Sequence, residues 1–144
     1  MGTQTDPAPE VASIRITRDG VRDFSTSIGE TRPMYHSVRS ARAGGHPDLL
    51  VPPTYLFGLA LRTGNAFGWA SERGFDMTRA LHGEQSFDYA EMVYAGDTVT
   101  LSSTCSQVEQ RARFQRIART TEVTRGGRPV ARLVTLLLCP EVAS

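Results

Sequence analysis

Pro52-Pro53-Thr54-Tyr55-Leu56-Phe57-Gly58-Leu59-Ala60-Leu61 is the stretch on which the reading of the fold turns. Thr54 is an N-cap residue directly behind a proline pair, and Leu56, Phe57, Leu59 and Leu61 supply apolar contacts. This pattern predicts the longest helix of the chain, running to about Arg73. Gly58, Gly64 and Gly68 each cost about 0.8–1 kcal/mol there relative to alanine. Two readings of them stand: close approach by a wrapping sheet or a bound chain, or simple steric fit to the sheet.

Outward from this helix the pattern changes period. From Phe87 the chain reads as strands: Val99 and Leu101 alternate with Thr98 and Thr100, and residues 113–124 are rich in β-branched and polar types. Arg125-Gly126-Gly127-Arg128 signals a tight hairpin. The last strand, Val130 to Leu138, closes on three leucines, which predicts cover on both faces. Upstream, Ile14 and Ile16 suit a short strand. Thr17 is placed to cap a helix with Val21, Phe24 and Ile28 on its apolar face, ended by Gly29. A second short helix is expected from about Ser37 to Ala43, stopped by Gly44-Gly45. An early strand, a long central helix and an antiparallel meander define an α+β domain over residues 13–144. Residues 1–12 read as a flexible N-terminal tail.

Composition narrows the functional classes. The chain has 144 residues, 40% of them hydrophobic and 22% charged, in the range of a single globular domain. A formal charge of +1 provides no electrostatic footprint for nucleic acid. All 16 basic residues are arginine, so a Schiff-base lysine mechanism is excluded. Cys105 and Cys139 fall in expected strands without metal-ligand spacing and read as buried, reduced thiols. With no apolar run of membrane-spanning length and no targeting pattern in Met1 to Glu10, a cytoplasmic location is expected.

Two short segments carry the chemistry, Ile28-Gly29-Glu30-Thr31-Arg32-Pro33-Met34-Tyr35 and Leu81-His82-Gly83-Glu84-Gln85-Ser86-Phe87. In order and spacing they are joined by Ala41-Arg42-Ala43-Gly44-Gly45-His46, Val51-Pro52-Pro53-Thr54 and the turn Ala95-Gly96-Asp97. Together these pieces resemble MaoC-like dehydratases, the hot-dog-fold enoyl-thioester hydratases, and especially their N-terminal dehydratase-like branch. The resemblance spans about residues 13–139. It implies one hot-dog domain, a curled antiparallel sheet wrapped around one long central helix. It also implies a homodimer, or a heterodimer with another hot-dog chain, and a substrate acyl group on coenzyme A or acyl carrier protein. No metal or redox cofactor is implied.

The family pattern here is Gly-Asp-x-Asn-Pro-(apolar)-His. This chain has Glu30 at the Asp position, Arg32 at the Asn position and Tyr35 at the His position. In related assemblies one unit carries the Asp/His pair and the other, with Tyr at the His position, shapes the acyl tunnel; Tyr35 resembles the second kind. Hydration needs a group to activate water at C3, one to deliver a proton at C2, and donors to polarise the thioester carbonyl. The candidates are Glu30 for water, Tyr35 as hydrogen-bond donor or aromatic wall, and His36 as an adjacent base or a helix-start residue. His82 and Glu84 are expected on one strand face, with Gln85 opposite. Free amides at Thr54 and Tyr55 are candidates for the carbonyl-binding role. Arg111, Arg113, Arg116 and Arg119 read as a solvated strand face or as contacts to a phosphate or acidic carrier. His46 reads as part of a turn.

The expected activity is that of an (R)-specific enoyl-thioester hydratase or 3-hydroxyacyl-thioester dehydratase component, with an altered or partner-supplied acid/base pair. The alternatives are a non-catalytic acyl-binding subunit of a heterodimeric dehydratase, and a hot-dog thioesterase using Glu30 or Glu84.

Overall fold

The computed structural model describes residues 8–63, 68–72, 74–111 and 113–140. Strand β1 (Glu10–Arg15) is followed by helix α1 (Arg18–Ser27), a 3-10 turn (Pro33–Tyr35) and helix α2 (Val38–Ala43). Helices α3 (Tyr55–Arg62) and α4 (Gly68–Glu72) and a second 3-10 turn (Met77–Arg79) come next. Strands β2 (Leu81–Tyr89), β3 (Thr98–Arg111), β4 (Phe114–Arg125) and β5 (Arg128–Pro140) complete the order. They form one five-stranded antiparallel sheet in the order β1-β3-β4-β5-β2, leaving β1 and β2 as its edges. No helix of the described residues is long and apolar enough to cross a membrane.

Local chemistry explains most element ends. Thr17 Oγ1 accepts the Gly20 amide at 3.0 Å to cap α1, and Ser37 Oγ does the same for Ser40 at the head of α2. Gly29, at φ 73°, takes the left-handed conformation that ends the first helical segment. Gly126 and Gly127, at φ 58° and 77°, form the two-residue turn between β4 and β5. β1 starts at Glu10, inside the segment expected to be tail; residues 1–7 lie outside the described residues.

α3 lies against the sheet. Tyr55, Leu56, Leu59 and Ala60 share one buried cluster with Val99, Leu101, Val123, Val130 and Leu133, joined by Ile16 and Val21. The expected unbroken helix to Arg73 is corrected: α3 stops at Arg62 and Thr63 is extended, at ψ 126°. The reason lies at the Ala60 carbonyl, the acceptor a continuing helix would offer four residues on. It receives Thr63 Oγ1 at 3.2 Å and Arg119 Nη1 at 3.0 Å. Gly64 lies outside the described residues, and Gly68 begins α4. A Cβ on Gly58 would meet nothing within 4 Å, so that glycine makes no close approach in this fold.

Three further expectations change. Ile28 is 51% exposed because it is the C-cap residue of α1, beyond the buried stripe. Cys139 is buried, whereas Cys105 is half-buried, and both thiols are free. Leu136 and Leu138, on the convex face, are only half-buried, while Leu137 is buried on the concave one.

Candidate active site

The loop from Glu30 to His36 connects α1 to α2 and is pinned from both sides. The Glu30 amide donates to the Ser25 carbonyl at 2.8 Å, and Arg22 Nε of α1 donates to the His36 carbonyl at 2.8 Å. Proline at position 33 presets the turn that buries Tyr35, which is 4% exposed. The Tyr35 ring forms one wall of a recess of about 370 Å³ with Leu50, Val51, Pro53, Tyr89, Met92 and Val93. Glu91 also borders it. Tyr89 donates its hydroxyl to the Pro53 carbonyl, and burial pushes its phenol up to about 12, so it stays protonated.

The far wall is held by ion pairs. Arg125 Nη1 contacts Asp97 Oδ2 at 2.6 Å and the Met92 carbonyl at 3.0 Å, and Nη2 reaches Glu91 at 2.7 Å. Arg128 meets the other Glu91 oxygen at 2.8 Å. The β4–β5 hairpin is thereby clamped onto the segment that carries Glu91 and Met92 (about residues 90–97).

The candidate acid/base groups have definite partners. Glu30 Oε1 accepts the Arg32 amide at 3.1 Å and Nε at 2.9 Å, and Oε2 accepts Nη2 at 2.7 Å. This bidentate hydrogen bonding holds the Glu30 carboxyl down at about 2. The Arg32 guanidinium also sits 5.3 Å from the Tyr35 ring centroid, at cation–π distance. His36 points its Nε2 at the Glu30 carbonyl, 2.5 Å away. Glu30, Tyr35 and His36 are thus brought into one loop, around Arg32.

The second polar cluster is not assembled as expected. A register shift between His82 and Glu84 marks a bulge at Gly83, so the period of two fails across it. His82 faces α3, its ring 5.4 Å from Phe57, in a recess with Leu61, Met77, Thr135 and Leu137. Glu84 lies on the opposite face with Phe114, Arg116, Leu136 and Leu138. Gln85 returns to the His82 side, where Thr135 Oγ1 donates to its carbonyl oxygen at 2.6 Å.

The carbonyl-binding candidates divide as well. The Tyr55 amide donates to the Pro52 carbonyl at 3.0 Å, so it is not a free donor. Its ring is buried edge-on against Phe24 at 5.3 Å. Thr54 is exposed at the N-cap and makes no side-chain capping bond. Arg119 is corrected from a solvated face to the interior, 4% exposed, because the period of two puts it on the same strand face as the buried Ile117 and Val123. Arg113 is exposed, Arg116 is half-buried, and the Arg111 side chain lies outside the described residues. His46 sits in its turn with Nδ1 3.1 Å from the Tyr94 hydroxyl. Sequence reasoning missed Tyr89 and Met92 as recess residues; the signal for Tyr89 was its strand alternation with Phe87. No cluster of His, Cys, Asp and Glu among the described residues could hold a metal ion.

The fold is shared with solved hot-dog proteins of the dehydratase and hydratase class. The truncated HadBC (3R-hydroxyacyl-ACP dehydratase) complex from Mycobacterium tuberculosis matches with a TM-score of 0.75 and 19% identity, over 94% of this chain and 99% of that one. A MaoC-like dehydratase matches at TM-score 0.81 and 18% identity, over 92% of this chain and 42% of that one. The (R)-hydratase from A. caviae involved in PHA biosynthesis matches at 0.65 and 17%, over 96% and 100%. The sequence profile of the family described as "FAS1-like, dehydratase domain region" matches residues 2–133. A UPF0336 protein of Streptomyces coelicolor is 34% identical over 104 residues, 72% of this chain and 69% of the relative. Another, from Leifsonia xyli, is 30% identical over 131 residues, 90% and 88%. The chain belongs to the FAS1-like dehydratase-region family, alongside the UPF0336 proteins.

Proposed function

We propose that this chain is the acyl-binding component of an (R)-specific enoyl-thioester hydratase or 3-hydroxyacyl-thioester dehydratase, with the acid/base pair supplied by a second hot-dog chain. The observation that carries this reading is the state of Glu30 and Tyr35. Glu30 is engaged by three donors of Arg32 and stays ionised, so it neither gives nor readily takes a proton near neutral pH. Tyr35, at the place of the usual histidine, is buried as a wall of an apolar recess. A buried tyrosine offers a hydroxyl and an aromatic face there, not the imidazole base of the family pattern.

An acyl chain on coenzyme A or acyl carrier protein suits the recess by chemistry: aliphatic and aromatic walls, with its bordering carboxylate, Glu91, already paired to Arg125 and Arg128. The Thr54 amide, at the head of α3, is the remaining donor candidate for the thioester carbonyl. A thioesterase reading is less well supported, because Glu30 is held in its fork and Glu84 lies on the convex face. The β2 edge, where Leu81 is 59% and Tyr89 39% exposed, is where a second hot-dog sheet would pair.

The test is hydration of trans-2-dodecenoyl-coenzyme A by the purified chain alone and by the chain co-purified from native cells. The expected result is little turnover alone and full turnover with a second hot-dog chain, identified by mass spectrometry. Equal turnover by the chain alone would defeat the proposal.

A further inference from the structure

Arg32 does more than pair with a neighbouring carboxylate. Its main-chain amide, Nε and Nη2 all end on Glu30, while the same guanidinium lies over the Tyr35 ring, its central carbon 5.3 Å from the centroid. An Arg fork matches both carboxylate oxygens at once, and planar stacking on an aromatic face is open to arginine and not to asparagine or lysine. The backbone limits the cost of this geometry. Arg32 precedes Pro33 in extended conformation, φ −63° and ψ 134°, the region a residue before proline prefers. Partners two residues apart lose little chain entropy on meeting.

We propose that Arg32 is a positioning residue: forked on Glu30 and laid over Tyr35, it fixes the loop from Glu30 to Tyr35 so that the Tyr35 ring stays as a wall of the recess, and it withholds Glu30 from proton transfer. This rests on the reading of the recess as the acyl site. Arg32 itself touches no reacting atom. Its side chain is 63% exposed, and its contacts end on the two residues it holds. The other titratable group facing Glu30 is His36, through its Nε2 on the Glu30 carbonyl; Arg22 of α1 reaches the His36 carbonyl and Asp19 instead.

The experiment uses wild type, Arg32→Asn and Arg32→Lys. The Glu30 carboxyl carbon is followed by ¹³C NMR from pH 2 to 8. KM and kcat for trans-2-dodecenoyl-coenzyme A are measured on the chain purified with its partner. In wild type Glu30 remains ionised to about pH 2. In Arg32→Asn it is expected to titrate near the ordinary value of about 4.3. KM is expected to rise about 3- to 10-fold in Arg32→Asn with kcat within about twofold, the signature of lost ground-state binding. Arg32→Lys keeps the charge without fork or stacking, and is expected to recover less than half of the KM change.

An unmoved Glu30 titration in Arg32→Asn overturns the inference and leaves the acyl-binding reading standing. A fall in kcat at constant KM also overturns it, since Arg32 would then act in the transition state. Should Arg32→Asn fail to fold, Arg32→Lys alone decides: wild-type titration and wild-type KM in that variant overturn the inference. Turnover by the partner-free wild type at the assembled rate defeats the proposed function and leaves the NMR result to judge Arg32 separately.

Discussion

Arg119 Nη1 donates a 3.0 Å hydrogen bond to the Ala60 carbonyl near the end of α3, while its buried Nη2 has no hydrogen-bond partner among the described residues. Burial lowers the guanidinium pKa from its ordinary value. A buried charge that is half satisfied contributes little net stability, because desolvation offsets the bond it makes.

Replacing Arg119 by methionine keeps most of the volume and removes the desolvated charge. Arg119→Met is expected within about 1 kcal/mol of wild type or more stable, whereas Arg119→Ala leaves a cavity and should lose about 2–4 kcal/mol. Urea denaturation of the three proteins separates them. A methionine variant as unstable as the alanine one would mean that the guanidinium is better satisfied than its geometry indicates.

Two helical glycines make opposite predictions. A Cβ on Gly20 would lie 2.9 Å from the Tyr55 hydroxyl and 3.0 Å from Thr17 Oγ1, where α1 meets α3. Gly58 has open space and no positive φ. Gly58→Ala should therefore stabilise by about 0.5–1 kcal/mol, visible as a Tm rise of a few degrees. Gly20→Ala should lower Tm by crowding the cap and the buried tyrosine. Thermal melts that rank the two in the reverse order would contradict the packing described.

The Glu30–Arg32 fork predicts a pH signature. The folded carboxyl is held at about 2, below its unfolded value of about 4.3, so its contribution is present above about 4.3 and is lost as pH falls through 2. Wild type should thus exceed Glu30→Gln in denaturation midpoint by a constant margin from pH 5 to 7. That margin should narrow below about pH 4 and vanish near pH 2. A margin independent of pH over this whole range would show that the carboxylate charge is not what the fork stabilises.

Much of the scaffold was legible because it follows local rules. Thr17 and Ser37 cap as short hydroxyl residues do, Gly29 and Gly126-Gly127 occupy the conformations that favour glycine, and the strands follow period two. The misreadings came from non-local or aperiodic geometry. The bulge at Gly83 reverses every later side chain of β2; a lone glycine within a strand pattern was its signal. The break after Arg62 depends on Arg119, 59 residues from Ala60, competing for that residue's helix carbonyl. Glu30, Tyr35 and His36 share one loop because they lie within seven residues of chain, but an i,i+2 fork belongs to no periodic template, so the engagement of Glu30 by Arg32 was not foreseeable.

Tyr35 gives the sharpest test of the proposed role. Buried between the Arg32 guanidinium and the recess, it supplies shape and apolar area. Tyr35→Phe retains both and removes only the hydroxyl, so turnover of the assembled enzyme is expected to stay within about threefold of wild type. Tyr35→Ala deletes the ring, exposes the recess and strips Arg32 of its aromatic partner. It should raise KM about 10-fold or more, with a smaller change in kcat, and lower the denaturation midpoint as a large-to-small core change. If the hydroxyl instead donates a proton or hydrogen bond in the transition state, Tyr35→Phe would lose about 10- to 1000-fold in kcat. Steady-state hydration of trans-2-dodecenoyl-coenzyme A, with and without the partner chain, distinguishes these outcomes. A large kcat loss for Tyr35→Phe in partner-free protein would place the chemistry in this chain, and the wall assignment would have to be withdrawn.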